Sequence, residues 1–216
     1  MQIVAGRDLI ISLPMPNDAD DPTDDSVARA ADGDHAELER LLRSVESELR
    51  ARVSINPIHR RSLEVDDVLQ VSFLEAFLRV AGLRDRTLRG FTAWIQRIVR
   101  NNLVDAIRAL ERDKRPDPRE RLTHGPKGDS ARTLFLSLAG EQGTAGGQVS
   151  LQEELASLHR AVKGLPPVYR AVVEQVDLAE RAVADVAEEL GRSRGAVHLL
   201  RRRAHDRLAE LLRPGD

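Results

Sequence analysis

The chain has 216 residues and a formal net charge of −2, and it contains no cysteine, which excludes disulfide scaffolds, zinc knuckles and cysteine nucleophiles. Hydrophobic residues make up 41% and charged residues 31%, which is typical of a globular protein. Aromatic residues make up only 3%, while Leu, Ala, Arg and Glu dominate, so we predict an all-α fold. No apolar stretch reaches the ~20 residues that cross a bilayer. Residues 1–13 also lack the pattern of a signal peptide, so we expect a cytoplasmic protein with no membrane partner.

The first half of the chain predicts an extension followed by a small helical domain. Residues 1–25 hold three prolines and a run of aspartates, and we expect them to form a flexible acidic extension. Helical periodicity follows, restarting after a candidate N-cap at Asp34 and continuing through residues 64–80 and 91–112. These segments predict a helical domain over residues 26–115.

The second half predicts a linker and a second small helical domain. Residues 116–150 hold six glycines and three prolines with little periodicity, which is typical of a flexible linker. Residues 151–213 then show helical periodicity in four segments, at 151–163, 166–176, 179–190 and 194–212. We therefore predict two helical domains joined by a flexible linker.

The last two of these segments have the pattern of a helix-turn-helix. Ala187 is small where two helices must cross closely, Gly191 suits the left-handed turn between them, and Ser193 can cap the second helix. We expect Val197, Leu200, Ala204 and Leu208 to pack inward. We expect the following residues to contact a major groove and its phosphates: Arg192, Ser193, Arg194, Ala196, His198, Leu199, Arg201 and Arg202. The alternative is an ordinary helical hairpin with an arginine-rich surface.

Charge is distributed unevenly along the chain. Residues 1–34 carry eight acidic residues and two arginines, whereas residues 192–213 carry seven arginines and two acidic residues. Basic residues are also dense over residues 97–121. An acidic head with two basic stretches predicts a polyanionic partner that the chain meets at two places. Solvated helix faces would explain either basic stretch alone.

A polar ridge divides two apolar stripes in the segment of residues 64–74. The ridge contains Asp66, Asp67 and Gln70, and the second stripe contains Val71 and Leu74. A helix that buries one face has no need of a second apolar stripe unless another helix docks there. The pattern therefore predicts a partner protein at this surface.

Four segments resemble motifs of the sigma-70 family of bacterial transcription initiation factors, in its extracytoplasmic-function (ECF) group. They read D-D-V-L-Q-V-S-F at 66–73, F-T-A-W-I-Q-R-I-V-R-N at 91–101, L-P-P-V-Y-R at 165–170 and S-R-G-A-V at 193–197. Their order and spacing match that family over roughly residues 26–115 and 151–213. The resemblance implies a factor that binds core RNA polymerase, directs it to promoters and helps melt the −10 region.

The resemblance also assigns roles to individual residues. Those that would dock on the clamp helices of the polymerase β′ subunit are Asp66, Asp67, Gln70, Val71 and Leu74. Those that would hold the unwound −10 element are Phe91, Arg97, Arg100, Asn101, Asn102 and Arg108. The helix from Arg194 would lie in the −35 major groove, and its domain would also contact the β flap. An ordinary position on the helix surface is the alternative for Asn101 and Asn102, and we expect Trp94 to lie in the core.

The chain departs from the family pattern at three places. The family's usual glutamate is Val71 here, the common threonine is Ala196, and residues 199–203 differ from the usual sequence. The first difference affects the expected contact with polymerase, and the other two affect which promoter sequence is read.

Other function classes lack support in the sequence. No spacing typical of metal ligands, phosphate-binding glycine loop or nucleophile elbow is present, so we expect no metal site, no cofactor and no enzymatic activity. The main alternative is a helix-turn-helix regulator that is not a polymerase subunit, and a weaker one is an adaptor for acidic partners. Under the sigma resemblance, promoter DNA, core polymerase and an anti-sigma factor are the candidate partners.

Overall fold

The computed structural model describes residues 21–114, 130–139 and 151–213, which are helices and their connections, without a strand among them. The predicted all-α class is therefore confirmed. The α-helices are α1 (Asp24–Ala31), α2 (His35–Arg52), α3 (Val65–Arg79), α4 (Leu88–Lys114), α5 (Ser130–Ala139), α6 (Leu151–Lys163), α7 (Pro167–Val172), α8 (Val183–Leu190) and α9 (Arg194–Leu212). A 3₁₀ turn follows α3 at Val80–Gly82, and a π-helical turn follows α7 at Val173–Leu178.

The chain divides into two compact units, residues 1–107 and 108–216, with the division inside α4. None of the helices in the described ranges has the length and apolarity needed to cross a membrane. Most of the predicted extension and most of the predicted linker lie outside the described residues. Within those stretches, α1 begins at Asp24 rather than after residue 25, and α5 is a helix inside the predicted linker. The predicted domain boundaries themselves stay a prediction.

The first unit is held by apolar packing and by caps at its helix ends. Its core includes Val27, Ala30, Leu38, Leu41, Leu49, Val68, Leu69, Phe91 and Ile95. The predicted cap at Asp34 is confirmed, because its carboxylate accepts a hydrogen bond from the backbone N–H of Glu37 at 3.2 Å. The carboxylate of Asp24 in α1 accepts one from the backbone N–H of Leu88 at 2.8 Å, at the start of α4. An acidic group there also suits the positive N-terminal end of the helix dipole of α4. Helix α1 therefore stabilises α4, which contains the motif of residues 91–101.

The second unit is built around α9. Helices α5, α6, α7 and α8 all pack against it. Buried side chains of this unit include Leu134, Leu158, Val162, Tyr169, Val172, Val186, Val197, Leu200, Ala204 and Leu208. The arginine of the L-P-P-V-Y-R motif has a structural task, since Arg170 donates hydrogen bonds to the carbonyls of Lys163 (2.8 Å) and Leu165 (3.1 Å). A cation at these carbonyls satisfies groups that the end of α6 leaves unpaired, which fixes the corner between α6 and α7.

Candidate nucleic-acid and polymerase surfaces

The turn between α8 and α9 has the geometry that the sequence predicts. Gly191 lies in the left-handed region (φ 61°, ψ 36°), and its N–H bonds to the carbonyl of Glu188 at 3.1 Å. The N–H of Arg192 bonds to the carbonyl of Ala187 at 2.9 Å, which completes a Schellman motif. The hydroxyl of Ser193 then accepts a hydrogen bond from the N–H of Ala196 at 3.2 Å. These contacts confirm the predicted glycine turn and helix cap.

The inner face of α9 is wider than predicted. Val197, Leu200, Ala204 and Leu208 are buried, as expected. Ala196 and Leu199 are each only 1% exposed, so the expectation that these two side chains are available to DNA is wrong. The physical reason is that α9 is the central helix of its unit and is covered from several sides.

The outer face of α9 is cationic. Arg194 and Arg202 are exposed, whereas Arg192 and Ser193 in the turn are partly exposed. Arg202 also forms an ion pair with Asp206 at 3.3 Å, one turn further along the helix. His198 is largely covered, and burial lowers the pKa of its imidazole. Its Nε2 is buried and lies 3.5 Å from Oδ2 of Asp113, so the ring presents little of its polar surface outward.

Arg201 is held from within the protein. Its Nε donates to Oδ1 of Asp177 at 2.8 Å, and its Nη2 lies 2.7 Å from the same oxygen. The other carboxylate oxygen, Oδ2, lies 3.0 Å from Nε2 of His205. Burial raises the pKa of Asp177, but the hydrogen bonds and charges of His205 and Arg201 outweigh it and lower the pKa overall. Sequence reasoning missed Asp177, because its partners are 24 and 28 residues away.

The surface of α3 presents only part of the predicted polymerase contact. Asp66 and Gln70 are exposed and Leu74 is partly exposed, but Asp67 and Val71 are buried. The expected exposure of Asp67 and Val71 is therefore wrong, because both point into the packed face of α3. Leu78, one turn beyond Leu74, is 44% exposed and extends the accessible apolar stripe.

Two predicted DNA contacts on α4 are in the core instead. Phe91 is fully buried. Asn102 is fully buried as well, and its Nδ2 donates hydrogen bonds to Oγ of Ser72 at 2.9 Å and to Oε2 of Glu75 at 3.2 Å. The amide of Asn102 therefore connects α4 to α3 and is unavailable to a base. Trp94, expected in the core, is partly exposed and lies against Phe91 with a centroid separation of 5.8 Å.

The remaining predicted contacts on α4 are exposed, three of them in the first unit and Arg108 at the start of the second. Arg97, Arg100, Asn101 and Arg108 are all exposed. Across the ranges that the structure describes, none of these three arginines forms an ion pair. The contrast is with α2, where Arg43, Arg50 and Arg52 each pair with a glutamate four residues earlier. These three arginines thus have no direct ion-pair partner within the described part of the chain.

The described residues contain no cluster of three or more His, Asp or Glu side chains that could hold a metal ion.

Comparison with known proteins identifies two family models along the chain. The model for Sigma-70 region 2 matches residues 38–113, and the model for Sigma-70, region 4, matches residues 155–208. A relative, the ECF RNA polymerase sigma factor RpoE of Cereibacter sphaeroides, is 28% identical over 130 residues, which are 60% of this chain and 62% of the relative. The match thus leaves out more than a third of that relative's length.

One solved structure, titled as the 1.8 Å structure of the RsbN-BldN complex, covers 86% of this chain and 99% of the matched chain at 22% identity. Its TM-score of 0.28 is too low to establish a shared overall fold. The two family models together cover more than half of the chain, in the order of the motifs noted above. The chain therefore belongs to the sigma-70 family, and it is similar to a relative from the ECF group of that family.

Proposed function

We propose that this sigma factor binds core RNA polymerase, directs it to specific promoters and helps to melt the −10 region. The observation that carries the proposal is that Arg97, Arg100 and Arg108 on α4 are exposed and form no ion pair with another described residue. Surface arginines that serve only solubility are commonly balanced by acidic residues on the same helix, as on α2. A row of arginines without such partners favours a polyanion as the ligand.

The α4 face suits an unwound strand better than a duplex. Asn101 lies between Arg100 and Val104 on this face, and Val104 is an exposed apolar side chain among cations. Arginines would contact successive phosphates, while the amide and the apolar side chain would contact an unstacked base. This combination supports a role at the −10 element.

Helix α9 would read the duplex of the −35 element. Its exposed arginines, Arg194 and Arg202, lie on either side of the largely covered His198. Arginine provides bidentate donors for guanine and for phosphate. A recognition helix needs both kinds of contact, because phosphate contacts set its register and base contacts set its specificity.

The accessible part of α3 would dock on the clamp helices of the β′ subunit. Its two polar residues, Asp66 and Gln70, lie beside the apolar stripe of Leu74 and Leu78. Such a narrow stripe with a polar margin is the arrangement by which one helix packs against another. The second domain would contact the β flap, which places the two DNA-binding surfaces on one polymerase. The polymerase then performs the chemistry, and this chain supplies none of the catalytic groups.

The test is run-off transcription with purified protein, core polymerase free of sigma factor, and a pool of upstream fragments from the protein's own genome. We expect discrete start sites that depend on the added protein. Arg97→Ala/Arg100→Ala should abolish most of this signal while leaving protein folding intact, because both side chains are exposed. Arg43→Ala/Arg52→Ala is the matched control, since it removes two arginines that are already paired on α2.

The outcome separates the sigma function from the alternative. A preparation that binds duplex DNA with sequence preference but yields no transcripts would identify a helix-turn-helix regulator that acts without being a polymerase subunit. Equal loss of transcription in the α2 control would show that the effect of the α4 variant is one of general charge.

A further inference from the structure

Asp177 is a buried acid that neither the family motifs nor the predicted DNA contacts include. It lies in the π-helical turn Val173–Leu178 that joins α7 to the helix-turn-helix, and its side chain is only 4% exposed. Both of its carboxylate oxygens are engaged, one by Arg201 and the other by His205. A buried carboxylate with both oxygens bonded to side chains of a single helix fixes where those side chains lie.

The contact engages only one edge of the Arg201 guanidinium. Nε and Nη2 both face Oδ1 of Asp177, at 2.8 and 2.7 Å. Its Nη1 has no hydrogen-bond acceptor among the residues that the structure describes, and 40% of the side chain is exposed. The guanidinium therefore has one edge anchored to the protein and one edge directed away from it.

We propose that Asp177 is a positioning residue that orients Arg201 for a contact with DNA. The inference rests on the proposed binding of DNA by α9. An anchored arginine has already lost the rotamer freedom that a free one loses on binding, so its phosphate or base contact forms at lower entropic cost. His205 holds the second oxygen of the carboxylate and prevents it from rotating.

Because Asp177 is negatively charged, the direction in which its substitution changes DNA affinity distinguishes a positioning role from a simple charge effect. Asp177→Asn makes the protein one unit more positive, so simple electrostatics predicts tighter binding of DNA. Loss of orientation predicts weaker binding, because the neutral amide holds Arg201 less firmly. The two explanations therefore predict opposite changes for the same variant.

The experiment uses the full-length chain and duplexes enriched by that chain from a random-sequence pool. Affinity for the enriched duplex is measured for the wild type, Asp177→Asn, Arg201→Ala and the double variant. We expect Asp177→Asn to weaken binding about fivefold when Arg201 is present and to have no further effect when it is absent. Glu210→Gln removes the same charge from the last turn of α9 and serves as the control, which we expect to bind at least as tightly as the wild type.

Arg201→Lys tests the same point without disturbing the buried acid. Lysine keeps the charge but has no second donor edge once its ammonium is held by the carboxylate. We expect this variant to bind the enriched duplex about fivefold more weakly than the wild type. Far-ultraviolet circular dichroism verifies that each variant remains helical at the assay temperature.

The outcomes distinguish this inference from the proposed function. Wild-type affinity in both Asp177→Asn and Arg201→Lys would overturn the positioning role alone. If Asp177→Asn weakened DNA binding equally in the wild-type and Arg201→Ala backgrounds, the positioning role would also be overturned, because the acid would then affect binding through the folding of the domain and not through Arg201. Failure to enrich any duplex would overturn DNA reading by α9, and positioning with it. Coupling between the two residues without transcription would support positioning and contradict the sigma function.

Discussion

Two neighbouring asparagines on α4 should differ sharply in what they contribute. Asn102 is fully buried and bonded to α3, whereas Asn101 is exposed on the cationic face. We expect Asn102→Ala to destabilise the first unit and Asn101→Ala to leave its stability unchanged. The reverse should hold for DNA, because Asn101 is the amide that an unwound strand can contact.

The magnitude follows from the two hydrogen bonds that Asn102 donates. The bond to the hydroxyl of Ser72 is between neutral groups and contributes about 1 kcal/mol, and the bond to the carboxylate of Glu75 contributes about 1.5–3 kcal/mol. Glu75 keeps its ion pair with Arg79 at 2.7 Å, so we use the lower part of that range. The expected loss for Asn102→Ala is about 2–3 kcal/mol, against less than about 0.5 kcal/mol for Asn101→Ala.

Urea denaturation followed by the fluorescence of Trp94 measures this difference. Trp94 is the single tryptophan of the chain and lies in α4, so it reports on the first unit. With a urea dependence of about 1–3 kcal/mol per molar, the midpoint for Asn102→Ala should fall by about 1 M. A midpoint within error of the wild type, or an equal fall for Asn101→Ala, would refute the assigned role of the buried amide.

Three further changes test other parts of the molecule. Gly191→Ala should cost about 1–2 kcal/mol, measured by thermal unfolding, because its φ of 61° is strained for any residue with a Cβ atom; Gly82→Ala, at a position without positive φ, is the control. Since the pKa of Asp177 is lowered in the folded state, its charge stabilises the wild type relative to Asp177→Asn above about pH 4, and this advantage should disappear as the pH falls further. Arg97→Ala/Arg100→Ala should reduce the salt dependence of single-strand binding by about 1.4 in logarithmic slope.

Each of these expectations has a contradicting result. Equal costs at the two glycines would mean that the turn after α8 does not require a left-handed residue. A difference between wild type and Asp177→Asn that persists unchanged to about pH 2 would mean that the carboxylate is not the source of the stabilisation. An unchanged salt slope would remove the two α4 arginines from the set of phosphate contacts.

The turn of the helix-turn-helix was predictable from sequence because its signals are local. Gly191 adopts a left-handed backbone conformation, and the side chain of Ser193 caps an N–H group three residues later. Both features involve residues that are close together in the sequence. The inward stripe of α9 was predictable for the same reason, since helical spacing alone defines it. Such local rules indicate where a helix ends and which face is most apolar.

Which side chains remain accessible was harder to predict. Leu199 and Asn102 looked suited to a ligand, yet neighbouring helices bury both. Helical spacing defines the centre of a buried face but not its width, which depends on how many other helices pack there. The contact between Asp177 and Arg201 could not be predicted, because it joins positions 24 residues apart through a helical turn of irregular pitch.

That irregular turn offers a way to read related sequences. The N–H of Ala179 bonds to the carbonyl of Glu174, five residues earlier, so the turn accommodates one residue more than an α-helical turn would. Deleting one residue between positions 169 and 177 would rotate the acid about 100° away from Arg201 if the turn kept its wide pitch, whereas a return to ordinary α-helical pitch would absorb the deletion and leave the acid in place. The anchor of the arginine therefore depends on the pitch of this turn as well as on the identity of the acid, so a related sequence that is one residue shorter here would keep the contact only with an ordinary α-helical turn.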